Sequence, residues 1–278
     1  MVRLGQGLAR TGRLAPEAID RALVAVRAYR DRARALGAGR IRVVATAAVR
    51  QAENRDTLLA ALGADGDLDV RVISGEEEAR LTLLGVAAGL PATGDRYVVF
   101  DVGGGSTEIL VARGARAECV VSLRLGVVPL TERFLRADPV DWAEYRGCAA
   151  YAAERLAAEA WPVIRPLAPG RLVGTAGTVT TLAALDLELA AYDAARVQGH
   201  RLSRARIEAL LQRLGAMTIA ERARLPALEP GRADVLIPGI ALTLGVLDGL
   251  ALPELVVSDN GLREGILLDA IGWSPPPA

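Results

Sequence analysis

The stretch Val98-Val99-Phe100-Asp101-Val102-Gly103-Gly104-Gly105-Ser106-Thr107-Glu108-Ile109-Leu110-Val111 decides how this chain is read. An apolar run ends in a carboxylate, glycines and hydroxyls follow, and a second carboxylate opens a second apolar run. The pattern predicts strand, tight turn, strand. Glycine at the tip lets backbone N–H groups approach one anion with no Cβ in the way. Ser106 and Thr107 offer hydroxyl donors. Asp101 and Glu108 flank the loop, where hard carboxylate oxygens suit Mg²⁺ held against a phosphate. A hairpin that only turns needs neither the run of glycines nor the flanking acids.

Two related turns follow short apolar runs further on. Gly174-Thr175-Ala176-Gly177-Thr178 comes after Leu172-Val173, and Asp259-Asn260-Gly261 comes after Leu255-Val256-Val257-Ser258. Ligands of open α/β sheets bind beyond the carboxyl ends of the strands. With the hairpin, these loops on one edge predict a polyphosphate or nucleotide cleft. The Gly174 loop runs into a helix, whose unpaired N–H groups and dipole favour an anion.

Before the hairpin, the periodicity predicts a helix over 16–36, a strand over 41–46, a helix over 48–62 and a strand over 70–74. Gly75-Glu76-Glu77-Glu78 then opens another helix, so the first third reads as a parallel α/β layer. Acids in a first helical turn suit the dipole. One of these glutamates also suits the general base that phosphoanhydride hydrolysis requires. Arg50 follows the strand ending at Thr46. It reads either as a solvated helix arginine or as a cation for a transferring phosphoryl group. Asn54 reads as a cap or a ligand contact, and His200 as a surface or capping residue. After the hairpin come a strand over 118–124, a helix-rich stretch over 131–166, helices over 203–214, 219–224, 232–250 and 262–271, and a frayed tail at 274–277. The domain seam is expected before the hairpin, giving domains 1–83 and 84–278.

The 278 residues carry 33 acidic and 33 basic side chains, and 51% are hydrophobic. Zero net charge gives no electrostatic case for nucleic-acid or membrane-surface partners. Every basic residue is arginine, which excludes a Walker-type lysine and Schiff-base chemistry. A single histidine excludes a histidine-rich metal cluster. Cys119 and Cys148 are too few for a disulfide framework, and a reduced cytoplasm is the expected location. No charge-free apolar run reaches membrane-spanning length.

Together these segments resemble the exopolyphosphatase / guanosine pentaphosphate phosphatase family of the actin-like phosphotransferase superfamily. The resemblance rests on the hairpin and on Ala45-Thr46-Ala47-Ala48-Val49-Arg50-Gln51-Ala52-Glu53-Asn54 and Val72-Ile73-Ser74-Gly75-Glu76-Glu77-Glu78-Ala79-Arg80. It extends to Ser122-Leu123-Arg124-Leu125-Gly126-Val127-Val128-Pro129-Leu130-Thr131-Glu132, the Gly174 loop and Asn260-Gly261-Leu262-Arg263-Glu264-Gly265. It implies an α/β, actin-like (ribonuclease H-like) two-domain fold with an interdomain cleft. It also implies Mg²⁺-dependent release of terminal orthophosphate from polyphosphate or guanosine pentaphosphate. By position, Glu78 resembles the water-activating base, Arg50 a phosphate contact, and Asp101 and Glu108 metal-site carboxylates. Gly103, Gly104, Gly105, Ser106 and Thr107 resemble the second phosphate loop, and Gly177 and Thr178 part of a third. The family analogy points to a homodimer.

Family members begin with a strand and a loop of the form Asp-x-Gly-Ser-Asn-Ser, and nothing of that form precedes Arg3. The first domain is therefore expected to be N-terminally truncated, without the first phosphate loop. The alternative reading is a non-catalytic polyphosphate- or nucleotide-binding sensor of the same fold. A third is an actin-like sugar kinase, which the acidic turn at Glu76 fits less well than hydrolysis.

Overall fold

A computed structural model describes residues 2–91, 94–167 and 169–273, and the tail expected to fray at 274–277 lies outside them. The chain forms two compact units, 1–75 and 76–278. The division falls at the start of the helix Gly75–Gly89, rather than within it at the expected residue 83.

In the first unit, β1 (Ile41–Ala45) pairs in parallel with β2 (Leu68–Val72). Both strands are half-buried, and the helix Pro16–Ala35 shares their core through Ile19 and Ala22. The parallel layer is as expected, but the helix anticipated over 48–62 is two helices, Ala47–Gln51 and Arg55–Gly63. Ala52 turns to extended backbone between them. Asn54 lies in this break, at the N-cap of the second helix. Its side chain accepts from Leu14 N at 2.8 Å and donates to Leu14 O at 3.0 Å.

The second unit is built on six strands: β3 (Arg96–Val102), β4 (Thr107–Arg113), β5 (Arg116–Leu123), β6 (Leu172–Thr175), β7 (Arg201–Ser203) and β8 (Glu254–Val257). Their order is β5-β4-β3-β6-β8-β7. β3, β4 and β5 form an antiparallel meander, and β3, β6 and β8 run parallel. The short edge strand β7 was not expected from the sequence; only three residues pair, antiparallel to β8.

β3 and β4 read as continuous apolar runs because both faces of the sheet are covered. Val98, Phe100, Ile109 and Val111 pack with Leu156, Leu182 and Ile240 of the helices Trp142–Glu159, Ala176–Asp186 and Leu236–Leu250. The intervening Tyr97, Val99, Leu110 and Ala112 pack with Ala79, Leu83 and Val86 of the helix Gly75–Gly89. Side chains alternate faces along a strand. Asp101 therefore shares the parity of Val99, and Glu108 that of Leu110. Both belong to the face covered by the helix that carries Glu78. Among the described residues no helix is long and apolar enough to cross a membrane.

Candidate active site

Parallel strands β3, β6 and β8 end on one edge of the sheet, and the loops beyond them line a cavity of about 870 Å³. Asp101 and Gly103 come from the hairpin, Thr175 and Gly177 from the second loop, and Asp259 and Gly261 from the third. The expected convergence of three loops is what the fold produces. Glu78 reaches the same cavity from the first turn of its helix.

Backbone contact seats that helix. A Cβ on Gly85 would lie 2.0 Å from the carbonyl oxygen of Gly261, and one on Gly265 would lie 1.8 Å from that of Leu81. Only hydrogen fits at either place. The second and third loops are joined as well: Thr175 Oγ1 donates to Asn260 O at 3.1 Å, and Ser258 Oγ donates to the same oxygen at 2.7 Å.

The hairpin glycines do a different job from a left-handed turn, since none of the three has positive φ. The close approach is at Gly126, where the next helix meets the loop. Val127 N donates to Gly103 O at 3.1 Å and Val128 N to Gly104 O at 2.9 Å, so the following helix, Val127–Phe134, is laced onto the loop. A Cβ on Gly126 would meet Gly104 O at 2.5 Å.

The carboxylates set the electrostatics. Asp101 and Glu108 are register partners across β3 and β4. Burial, and then the charge of Glu78, push the Asp101 carboxyl up to about 7. Burial, followed by the charges of Glu78 and Asp101, pushes Glu108 up to about 8, against the opposing hydroxyls of Ser106 and Ser122. Ser122 Oγ donates to Glu108 Oε1 at 2.9 Å, while Glu108 Oε2 is buried with no hydrogen-bond partner. The outer acids of the cavity are engaged. Tyr192 donates to Asp259, Arg232 donates to Glu229 at 2.9 Å, and Gly261 N donates to Glu264 at 2.8 Å.

These residues suit a divalent cation. A buried carboxylate oxygen lacks a partner, and three carboxylates repel one another around it. Among the described residues no group of three or more histidine, cysteine or acidic side chains is placed to hold a metal ion by itself.

The remaining expected residues are distributed as follows. Thr107 is fully buried on the opposite face from Glu108, and its hydroxyl donates to Leu125 O at 2.5 Å. It closes the turn instead of presenting a free donor. Ser106 is buried and turned toward Glu108. Thr178 is buried, and Gly239 makes room for it. Gly177 lines the cavity, where a Cβ would sit 1.7 Å from Nη1 of Arg232. Arg50 belongs to the first unit, and its Nη1 donates to Ile73 O at 2.6 Å. Arg232 and Tyr192 also line the cavity and were not anticipated. Glu229-Pro230-Gly231-Arg232 carries no motif, and only the tertiary approach to Gly177 singles the arginine out. Ala176 has φ +66 at the head of the Ala176–Asp186 helix, a left-handed conformation costly for a residue with a Cβ and typical of functional loops.

Residues 1–272 match the Ppx/GppA phosphatase family. The chain is 40% identical over 286 residues to Exopolyphosphatase 2 of Mycobacterium tuberculosis strain H37Rv, covering 98% of this chain and 88% of the relative. It is 33% identical to a crystallised Ppx/GppA family member of Aquifex aeolicus, with a TM-score of 0.79 over 97% of this chain and 86% of that one. A crystallised exopolyphosphatase of Cytophaga hutchinsonii is 27% identical, with a TM-score of 0.89 over 99% of this chain and 89% of that one. A meander feeding parallel strands, three loops on one sheet edge, and these likenesses along the whole chain lead to one assignment: the protein belongs to the Ppx/GppA phosphatase family and has its actin-like fold.

Proposed function

We propose that this phosphatase is an exopolyphosphatase that releases terminal orthophosphate from condensed phosphate, with guanosine pentaphosphate as a second substrate carrying the same phosphoanhydride end. The observation that carries the reading is the crowding of Glu78, Asp101 and Glu108 beside the glycine hairpin. The name of the Mycobacterium tuberculosis relative supports it.

The cavity lining holds carboxylates of Glu78, Asp101, Glu229, Asp259 and Glu264 against guanidiniums of Arg232 and Arg263. Such a lining repels a bare polyanion, so the substrate is expected to bind with its divalent cations. Asp101 and Glu108 would hold Mg²⁺, which when bound neutralises the phosphate oxygens and polarises the terminal phosphorus. The hairpin and the N-terminus of the Ala176–Asp186 helix present N–H groups to the phosphate oxygens. Glu78 accepts a proton from water as the water oxygen bonds to the terminal phosphorus. The bridging P–O bond breaks, and its electron pair leaves with the shortened chain. The proton on Glu78 then passes to solvent.

The test is orthophosphate release from long-chain polyphosphate and from guanosine pentaphosphate, with Mg²⁺ or with EDTA, by the wild type and Glu78→Gln. Expected is Mg²⁺-dependent release, lost in the variant while polyphosphate binding is retained. Equal release by the variant would remove Glu78 from the base role. Binding without release by the wild type would favour a sensor.

A further inference from the structure

The first unit contains a cavity of its own, of about 680 Å³, walled by the loop 11–15 and the start of the Pro16–Ala35 helix. Asn54 pins this loop through both backbone groups of Leu14, and the Leu14 side chain is buried in the core. The wall is thus a formed surface.

Arg27, Arg30, Arg34 and Arg42 each have a carboxylate within 3.2 Å. The arginines on the cavity wall do not. Among the described residues the Arg10 guanidinium has no hydrogen-bond or ion-pair partner, and the Arg21 side chain donates only to Val2 O, at 3.1 Å. Arg13 reaches Glu53 at 3.5 Å, with both side chains largely exposed, a pairing of little strength. Glu17 is the only carboxylate on the described wall. Guanidinium groups fork onto phosphate oxygens, and several along one concave wall suit successive phosphates of one chain. No aromatic ring lines the cavity, which leaves a nucleobase nothing to stack on.

We propose that Arg10, Arg13 and Arg21 form a second polyanion site, one that binds a stretch of inorganic condensed phosphate. This rests on the exopolyphosphatase reading for its ligand, and the test separates the two. Labelled long-chain polyphosphate is titrated into the full chain in EDTA, where no turnover is needed, and Arg10→Gln/Arg13→Gln/Arg21→Gln is compared with the wild type. Expected is about tenfold weaker binding, with the slope of log affinity against log salt reduced by about two, the value for three lost phosphate contacts. Arg10→Gln alone, which removes no internal contact, is expected to give part of the loss. Unchanged binding and salt slope would overturn the proposal. So would equal weakening toward single-stranded RNA of matched charge. Absence of any hydrolysis would overturn the functional reading and leave the binding result to decide the site.

Discussion

Asp101 on β3 and Glu108 on β4 stand directly opposite each other across the antiparallel pair, on the face covered by the Glu78 helix. Side chains opposite one another on one face are a few ångströms apart, and like charges there are destabilising. Burial, and then the charge of Glu78, raise both carboxyls, to about 7 and about 8, with Asp101 adding to the rise of Glu108. A fold that retains such an arrangement sacrifices stability for a site, which protons or a cation can relieve.

Neutralising either residue should expose that trade. In EDTA, Asp101→Asn and Glu108→Gln are each expected to stabilise the protein by about 1–3 kcal/mol, because an unfavourable buried charge is removed. Phosphate release should fall by about a hundredfold or more. Urea unfolding together with a release assay checks both. Unchanged stability would mean that the carboxylates do not repel one another in the folded protein.

The same shifts dictate a pH dependence. Both folded-state values lie above the ordinary carboxylate range, so the folded protein binds more protons than the unfolded chain between about pH 4 and about pH 8. Metal-free stability from these groups is therefore expected to fall as pH rises through that window. Mg²⁺ should raise Tm more at pH 8 than at pH 5.5, since the carboxylates are then ionised. Thermal unfolding at both pH values, with and without Mg²⁺, is the measurement. An equal Mg²⁺ effect at both would contradict the assignment of the metal to these carboxylates.

The glycine contact that seats the Glu78 helix yields a structural prediction. Gly85→Val places side-chain carbon where Gly261 O already lies within 2.0 Å of a Cβ. A loss of about 3 kcal/mol is expected, with a fall in kcat as Glu78 shifts. Gly39→Ala meets nothing within 4 Å and is expected to change stability by less than about 0.5 kcal/mol.

Gly177 and Arg232 give the opposite case. The atom in the way of a Cβ is the tip of a flexible side chain, so Gly177→Ala should leave stability within about 1 kcal/mol while expelling the guanidinium from its place. KM for polyphosphate is expected to rise to the level of Arg232→Ala, and the double variant to add little. Steady-state kinetics on the three proteins would detect independent effects, which would separate the two residues.

Much of this was legible in advance because it depends on local pattern. The hairpin, the parallel pairing of β1 and β2, and the loops after β6 and β8 follow from apolar runs punctuated by glycine, hydroxyl and acid. The expected helix is interrupted where Asn54 bonds Leu14, forty positions away, a pairing with no trace in periodicity. Arg232 was overlooked for the same reason, as its significance comes from Gly177.

By itself the sequence determined that residues 98–111 form a hairpin with acids at its base and glycine at its tip, because strand and turn preferences are set by immediate neighbours. It also determined the alternation that sends Thr107 and Glu108 to opposite faces. Which face was core and which was site only the tertiary structure decided. The helices Trp142–Glu159, Ala176–Asp186 and Leu236–Leu250 cover one side, burying Thr107 against Leu125, and the Glu78 helix covers the other. Alternation is a property of one strand, whereas the carboxylate cluster requires a helix, two strands and their packing to meet.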